Sequence, residues 1–212
     1  MRKFAVVILF AFVASLALAQ VPGAVPFSGD LTMKAKGGET MNGKMYFSGT
    51  KMRWDMNAAG HQSIMINDIP GKVSYMVMPQ QKMYMEMRAG QQSMHRGPKM
   101  PDLKSYDPTN PCSAATDMTC EKVGTETVNG RTTDKWLFKN KKDGSTMTVW
   151  LDKKIHFPIR TQTNDATIEL NNIQEGMPAA SLFEIPSGYQ KFSMGGMMGG
   201  QMPQMPTGKD DE

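Results

Sequence analysis

Gly43-Lys44-Met45-Tyr46-Phe47-Ser48-Gly49-Thr50-Lys51-Met52-Arg53-Trp54-Asp55-Met56 alternates apolar and polar residues on both sides of a Ser-Gly-Thr break. A period of two marks a half-buried β-strand, whose successive side chains point to opposite faces. Met45 and Phe47 then share a face with Met52, Trp54 and Met56, while Lys44, Tyr46, Lys51, Arg53 and Asp55 share the other. The stretch reads as a hairpin with one apolar face, turning at Ser48-Gly49-Thr50.

The pattern extends both ways. Upstream, Leu31, Met33 and Ala35 oppose Asp30, Thr32, Lys34 and Lys36, and Gly37-Gly38 ends the run. Downstream it passes through 63–67, then 72–78 with Val73, Tyr75 and Val77 aligned, then 82–87 with Met83, Met85 and Met87 aligned. From Arg88 to Cys120 the alternation stops and Gly, Pro, Ser and Asp dominate, so 88–120 is an irregular lid or loop insertion; loops this long inside a domain are functional or disordered. Alternation resumes over 121–128, turns at Asn129-Gly130, a strong hairpin signal, and returns over 132–139 with Trp136 and Phe138 on one face. After Asp143-Gly144 it continues through 145–151, 158–163 and 166–173. No stretch keeps a helical period beyond a turn or two. The expected fold is mainly β, a single domain built as an antiparallel meander split by one irregular insertion.

The first residues give an address. Arg2 and Lys3 precede the apolar run Phe4 to Leu18, and Ala17-Leu18-Ala19 has the small residues of a signal peptidase site. The run is too short to span a bilayer, which takes roughly 20 residues. Residues 1–19 are read as a cleaved signal peptide, and Gln20 after the cut, in place of Cys, argues against a lipid anchor. The expected location is periplasmic or secreted, with no transmembrane segment in the mature chain. Without Arg2 and Lys3 the formal charge falls from +4 to +2, 22 basic against 20 acidic residues, with no basic stripe for nucleic acid. In such a compartment the two cysteines, Cys112 and Cys120, are expected to form a disulfide closing a small loop, worth about 2.5 kcal/mol in the chain-entropy model.

No G-x-S-x-G, H-E-x-x-H, Walker or dinucleotide motif occurs, and His61, His95 and His156 stand apart from carboxylates or Cys at ligand spacing. The chain is not read as an enzyme and no cofactor is expected. The unusual residue is methionine, 22 in all, many on the apolar faces of the expected strands. Two readings stay open: a core in which Met replaces Leu, or a flexible lining that adapts to a ligand. Residues 194–212 are expected to be a disordered Met/Gly-rich tail. Its Met194, Met197, Met198, Met202 and Met205 could wrap Cu(I) through soft thioethers, against the plainer reading of a low-complexity tail.

The stretch 43–56 followed by Ile64-Met65-Ile66-Asn67-Asp68 and Val73-Ser74-Tyr75-Met76-Val77 resembles the first half of the periplasmic lipoprotein-carrier superfamily, the LolA, LolB and LppX-like proteins. Thr148-Val149-Trp150-Leu151-Asp152, Phe157-Pro158-Ile159-Arg160 and the run Ala179 to Tyr189, with Leu182-Phe183-Glu184-Ile185-Pro186 at its centre, resemble that family's closing strands and end motif. The resemblance implies a strongly curved, incomplete antiparallel half-barrel over 20–193 whose concave apolar face holds acyl chains under a lid. Met45, Phe47, Met52, Trp54, Tyr75, Met83, Met85, Trp136, Phe138, Met147 and Val149 are the residues expected to line it. The chain departs from the carriers in lacking a leading amphipathic helix and in having the Cys112 to Cys120 loop where they place lid helices. The expected function is binding of a lipid, acyl chain or other hydrophobic ligand, with an envelope protein as a further partner. The alternatives are a copper-binding protein acting through the tail and a structural or sensory envelope module with a filled core.

Overall fold

The 43–56 hairpin forms as its alternation requires, between β2 (Thr40–Phe47) and β3 (Lys51–Ala58), with Met45 opposite Trp54 and Phe47 opposite Met52. Gly49 takes a positive φ of 87° in the turn. The computed structural model describes residues 25–58, 60–88, 107, 110–115 and 117–192. The expected signal peptide, most of the lid and the methionine tail with Met194, Met197, Met198, Met202 and Met205 lie outside them, as does His95.

Around the hairpin stand β1 (Phe27–Ala35), β4 (His61–Asp68), β5 (Val73–Met78) and β6 (Met83–Arg88). Beyond the insertion come β7 (Met118–Val128), β8 (Arg131–Asn140), β9 (Thr146–Asp152), β10 (Pro158–Thr163), β11 (Ala166–Glu175) and the short β12 (Gln190–Phe192). Among the described residues the only helical pieces are three 3-10 turns, at Pro79–Gln81, Pro111–Ala114 and Ala180–Phe183. Asn129 and Gly130 both have positive φ, 51° and 74°, the backbone that a two-residue hairpin turn requires.

The strands make one open sheet in the order β12-β6-β5-β4-β3-β2-β1-β11-β10-β9-β8-β7. It is antiparallel throughout except where β12 joins β6 in parallel. A single meander interrupted by an insertion would place β7 beside β6. Instead β7 lies at the far edge and the second meander returns inward until β11 pairs with β1, so β6 and β7, consecutive in the chain, stand on opposite sides of the sheet, with β12 outside β6.

Curvature shows in contacts between strands that are not neighbours. Asn129, in the β7–β8 turn, donates from Nδ2 to the Leu170 carbonyl of β11 at 3.3 Å, and Arg131 of β8 pairs with Glu175 of β11 at 2.9 Å. At about 4.8 Å per strand a flat sheet would hold β8 and β11 roughly 14 Å apart. With its edges unpaired to one another, the sheet is a strongly curved half-barrel.

Two apolar clusters hold it, on opposite faces. The first gathers Phe27, Leu31, Met45, Phe47, Ile159 and Leu170 with Ile155 from the β9–β10 turn. Phe157 from the same turn packs its ring 5.0 Å from Phe27 and 5.8 Å from Phe47. The second joins Ile64, Ile66 and Val77 to Phe183, with Leu182 and Tyr189 around it. The carrier-like end motif is therefore a strap: leaving β11 at the middle of the sheet, it crosses to the edge and adds β12 to β6. Arg53 anchors it, donating from Nη1 to the Leu182 carbonyl at 2.7 Å while Nε holds Asp55 at 2.6 Å.

Candidate functional site

Following the register strand by strand assigns every side chain of β1–β6 to a face, since directly opposed residues share one. Gly29 opposes Met45, Met45 opposes Trp54, Trp54 opposes Met65, Met65 opposes Met76, and Met76 opposes Met85. This unbroken row spans about 24 Å from β1 to β6 at the usual strand spacing. Flanking rows place Met33 opposite Met41, Phe47 opposite Met52 and Met78 opposite Met83.

All eleven methionines of β1–β6 lie on this one face, and all nine Asp, Glu, Lys and Arg residues of those strands lie on the other. Both readings of methionine find a place in that partition: Met45 belongs to the first packed cluster and Met52 and Met56 pack against it, while the cluster on the opposite face is built from Ile, Val, Leu, Phe and Tyr. Of the eleven, only Met45 is fully buried; the others stay partly open to solvent. A partly exposed sheet surface of flexible, polarizable thioethers is suited to contact with apolar molecules of varied shape.

The face continues across β1 into the second arm. Met33 opposes Ile168, Ile168 opposes Thr161, Thr161 opposes Val149, and Val149 opposes Trp136. Phe138 and Met147 form the next pair, and a cleft of about 260 Å³ opens between them, Met118 and Thr163. Cys120 faces the same way, opposite Phe138, and its disulfide to Cys112 ties the Pro111–Ala114 turn to this edge.

Of the residues named from the sequence, Met45, Phe47, Met52, Trp54, Met83 and Met85 lie on this face in the first arm, and Trp136, Phe138, Met147 and Val149 in the second. Tyr75 lies on the opposite face: it opposes Ile66 and packs with the second cluster beside Tyr84, 6.3 Å away between ring centres. Both faces of β5 carry apolar side chains, so Val73-Tyr75-Val77 and Ser74-Met76-Met78 look alike in sequence, and only the register carried from Trp54 opposite Met65 decides between them. Met65 and Met76, at the centre of the row, were missed for the same reason; counting the phase from Met56 through the β3–β4 turn would have found them.

Three buried nitrogens on this face lack any hydrogen-bond partner: Trp54 Nε1, Asn67 Nδ2 and Trp136 Nε1. Trp150, alternating to the other face, is satisfied, giving Nε1–H to Glu126 at 2.7 Å beneath Lys135 and Arg160. Among the described residues no three His, Cys, Asp or Glu side chains are grouped to hold a metal ion.

An open, curved antiparallel sheet with one apolar face defines the class, an incomplete half-barrel. The chain belongs to the DUF4412 family, a domain of unknown function whose model matches residues 27–156, from β1 to the β9–β10 turn. The fold is shared with an uncharacterized conserved protein from Thermus thermophilus, at 9% identity and TM-score 0.54 over 81% of this chain and 91% of that one. It is shared too with the MucA/MucB complex of Pseudomonas aeruginosa, at 13% identity and TM-score 0.53 over 79% of this chain; there it spans only 58% of the matched chain. A LolA superfamily protein from Nitrosomonas europaea also matches, at 7% identity and TM-score 0.38 over 77% of this chain and 91% of that one. No protein of curated function matches the sequence.

Proposed function

We propose that this is an exported binding protein that holds a lipid or other acyl-chain ligand on the methionine face of its half-barrel. The observation that carries the proposal is the confinement of all eleven methionines of β1–β6 to one partly exposed face that carries none of those strands' Asp, Glu, Lys or Arg residues. The central row is longer than the roughly 15 Å occupied by the acyl chains of one membrane leaflet. Export is supported by the leader-like first residues and by the Cys112–Cys120 bridge, since such bonds persist in oxidising compartments.

The test is to purify the full chain without lipid-stripping detergent, identify co-purifying lipids by mass spectrometry, and titrate a fluorescent fatty-acyl probe. Bound lipid and saturable probe binding are expected; the absence of both overturns the proposal. MucB, crystallised with MucA, supports a second possibility of a protein partner on the same fold, which affinity capture with the lipid-loaded and lipid-free protein would separate from the first.

A further inference from the structure

The three unpartnered nitrogens narrow the ligand. An indole N–H can only donate, so what Trp54 and Trp136 lack is an acceptor. Asn67 Oδ1 accepts from Ser74 Oγ at 2.7 Å, which leaves its Nδ2 as another donor without an acceptor. Trp54 and Asn67 are diagonal neighbours, because Trp54 opposes Met65 while Met52 opposes Asn67. Their donors therefore belong to one locality beside the central row, and Trp136 repeats the pattern on the second arm.

Buried polar groups are ordinarily satisfied, and three lacking partners on one face, all of them donors, is a consistent deficit rather than a scatter. At Trp54 and Asn67 the missing acceptor is neutral: no Lys or Arg of β1–β6 shares this face, and a carboxylate or phosphate buried without a cation is strongly disfavoured. On the second arm Lys122 lies directly opposite Trp136 and pairs with Asp134, so neutrality holds for Trp54 and Asn67 alone.

We infer that the methionine face binds fatty-acyl esters, with the ester carbonyl accepting from Trp54 Nε1 and Asn67 Nδ2 and the chain lying along the methionine row. This rests on the acyl-binding reading above and adds the chemical class of its ligand. A site built to hydrogen-bond its ligand rejects an analogue lacking the acceptor, because the buried donors are then left unmet. One unmet donor changes affinity by about ten- to a hundred-fold.

The experiment uses the full chain labelled with 15N-indole tryptophan and three competitors of matched length for the fluorescent acyl probe: methyl decanoate, decanoate and undecane, each delivered from cyclodextrin. Methyl decanoate is expected to displace the probe at least ten-fold more effectively than the other two. It should also move the Trp54 and Trp136 indole N–H resonances downfield while Trp150, already bonded to Glu126, stays in place. In the Trp54→Phe/Asn67→Leu variant the advantage of the ester over undecane, taken as the ratio of the two within each protein, should fall to within about two-fold. Equal displacement by ester and alkane in the wild type, preference for decanoate, or an unmoved Trp54 resonance with ester bound overturns the inference and leaves acyl binding standing. Failure of all three competitors overturns acyl binding itself. Should the double variant not fold, as judged by its circular dichroism melt, the wild-type resonances still decide.

Discussion

Asp152 is the one ionisable side chain buried among the described residues, at 1% exposure. Burial alone would raise its pKa, but Arg131 and the backbone N–H groups of Ile155 and Lys154 together outweigh it and hold the carboxyl below the ordinary range. A carboxyl whose folded pKa is depressed stabilises the fold fully above its unfolded value, near 3.9, and loses that contribution as pH falls through the folded value. Thermal melts should therefore be flat from about pH 7 to 5 and drop below about pH 4. Asp152→Asn should lower the neutral-pH stability by about 3 kcal/mol, since it leaves Arg131 partly buried with a weakened partner, and should flatten the acid limb; an unchanged acid limb would count against this assignment. None of this was readable beforehand: the Trp150-Leu151-Asp152 run signalled a strand end, and only the fold brings Arg131 and Glu175 to it. The orphan donors were equally silent, because Trp54 was legible as an apolar strand residue but its N–H partner, or the lack of one, depends on Asn67 and Ser74 from other strands.

At the level of elements, the hairpins were the most legible, since Asn129-Gly130 and Ser48-Gly49-Thr50 state their turns locally. β12 was not, because three residues carry no periodicity and its pairing depends on the strap that delivers it. Glu86 on β6 receives Lys191 of β12 at 2.7 Å, a surface pairing, so the strap's hold comes mainly from Phe183 and Arg53. Phe183→Ala should cost about 3 kcal/mol in chemical denaturation and raise the amide exchange of β5 and β6 more than that of β8 and β9. The Cys112–Cys120 bridge acts locally at the other edge. Its removal in a Cys112→Ser/Cys120→Ser variant should cost about 2.5 kcal/mol by loop entropy, read as a lower urea midpoint with an unchanged β1–β6 exchange pattern.

For the whole molecule, alternation revealed a one-faced antiparallel sheet but not the order of its strands, since local periodicity does not record which edge a chain returns to after a long excursion. The methionine face spans both arms because of that order, and binding should respond to a charge placed at its centre. Met76→Asp should weaken fluorescent acyl-probe binding about ten-fold or more with little change in the melting profile, because position 76 is partly exposed and the new carboxylate can stay hydrated only while the face is empty. Equal probe affinity in the variant would place the ligand elsewhere. The strand order also dictates assembly. Leu31 in β1 finds Gly43 in β2 just across a short turn, yet its other neighbour, Leu170 in β11, is made near the end of the chain. Until Ala166–Glu175 arrives, the middle strand of the finished sheet is an outer strand with a row of bare backbone groups, open to pairing with another nascent copy. Closure of this long-range pair should make refolding slow, on a scale of milliseconds to seconds, and should leave a chain interrupted before Ala166 prone to joining its own kind.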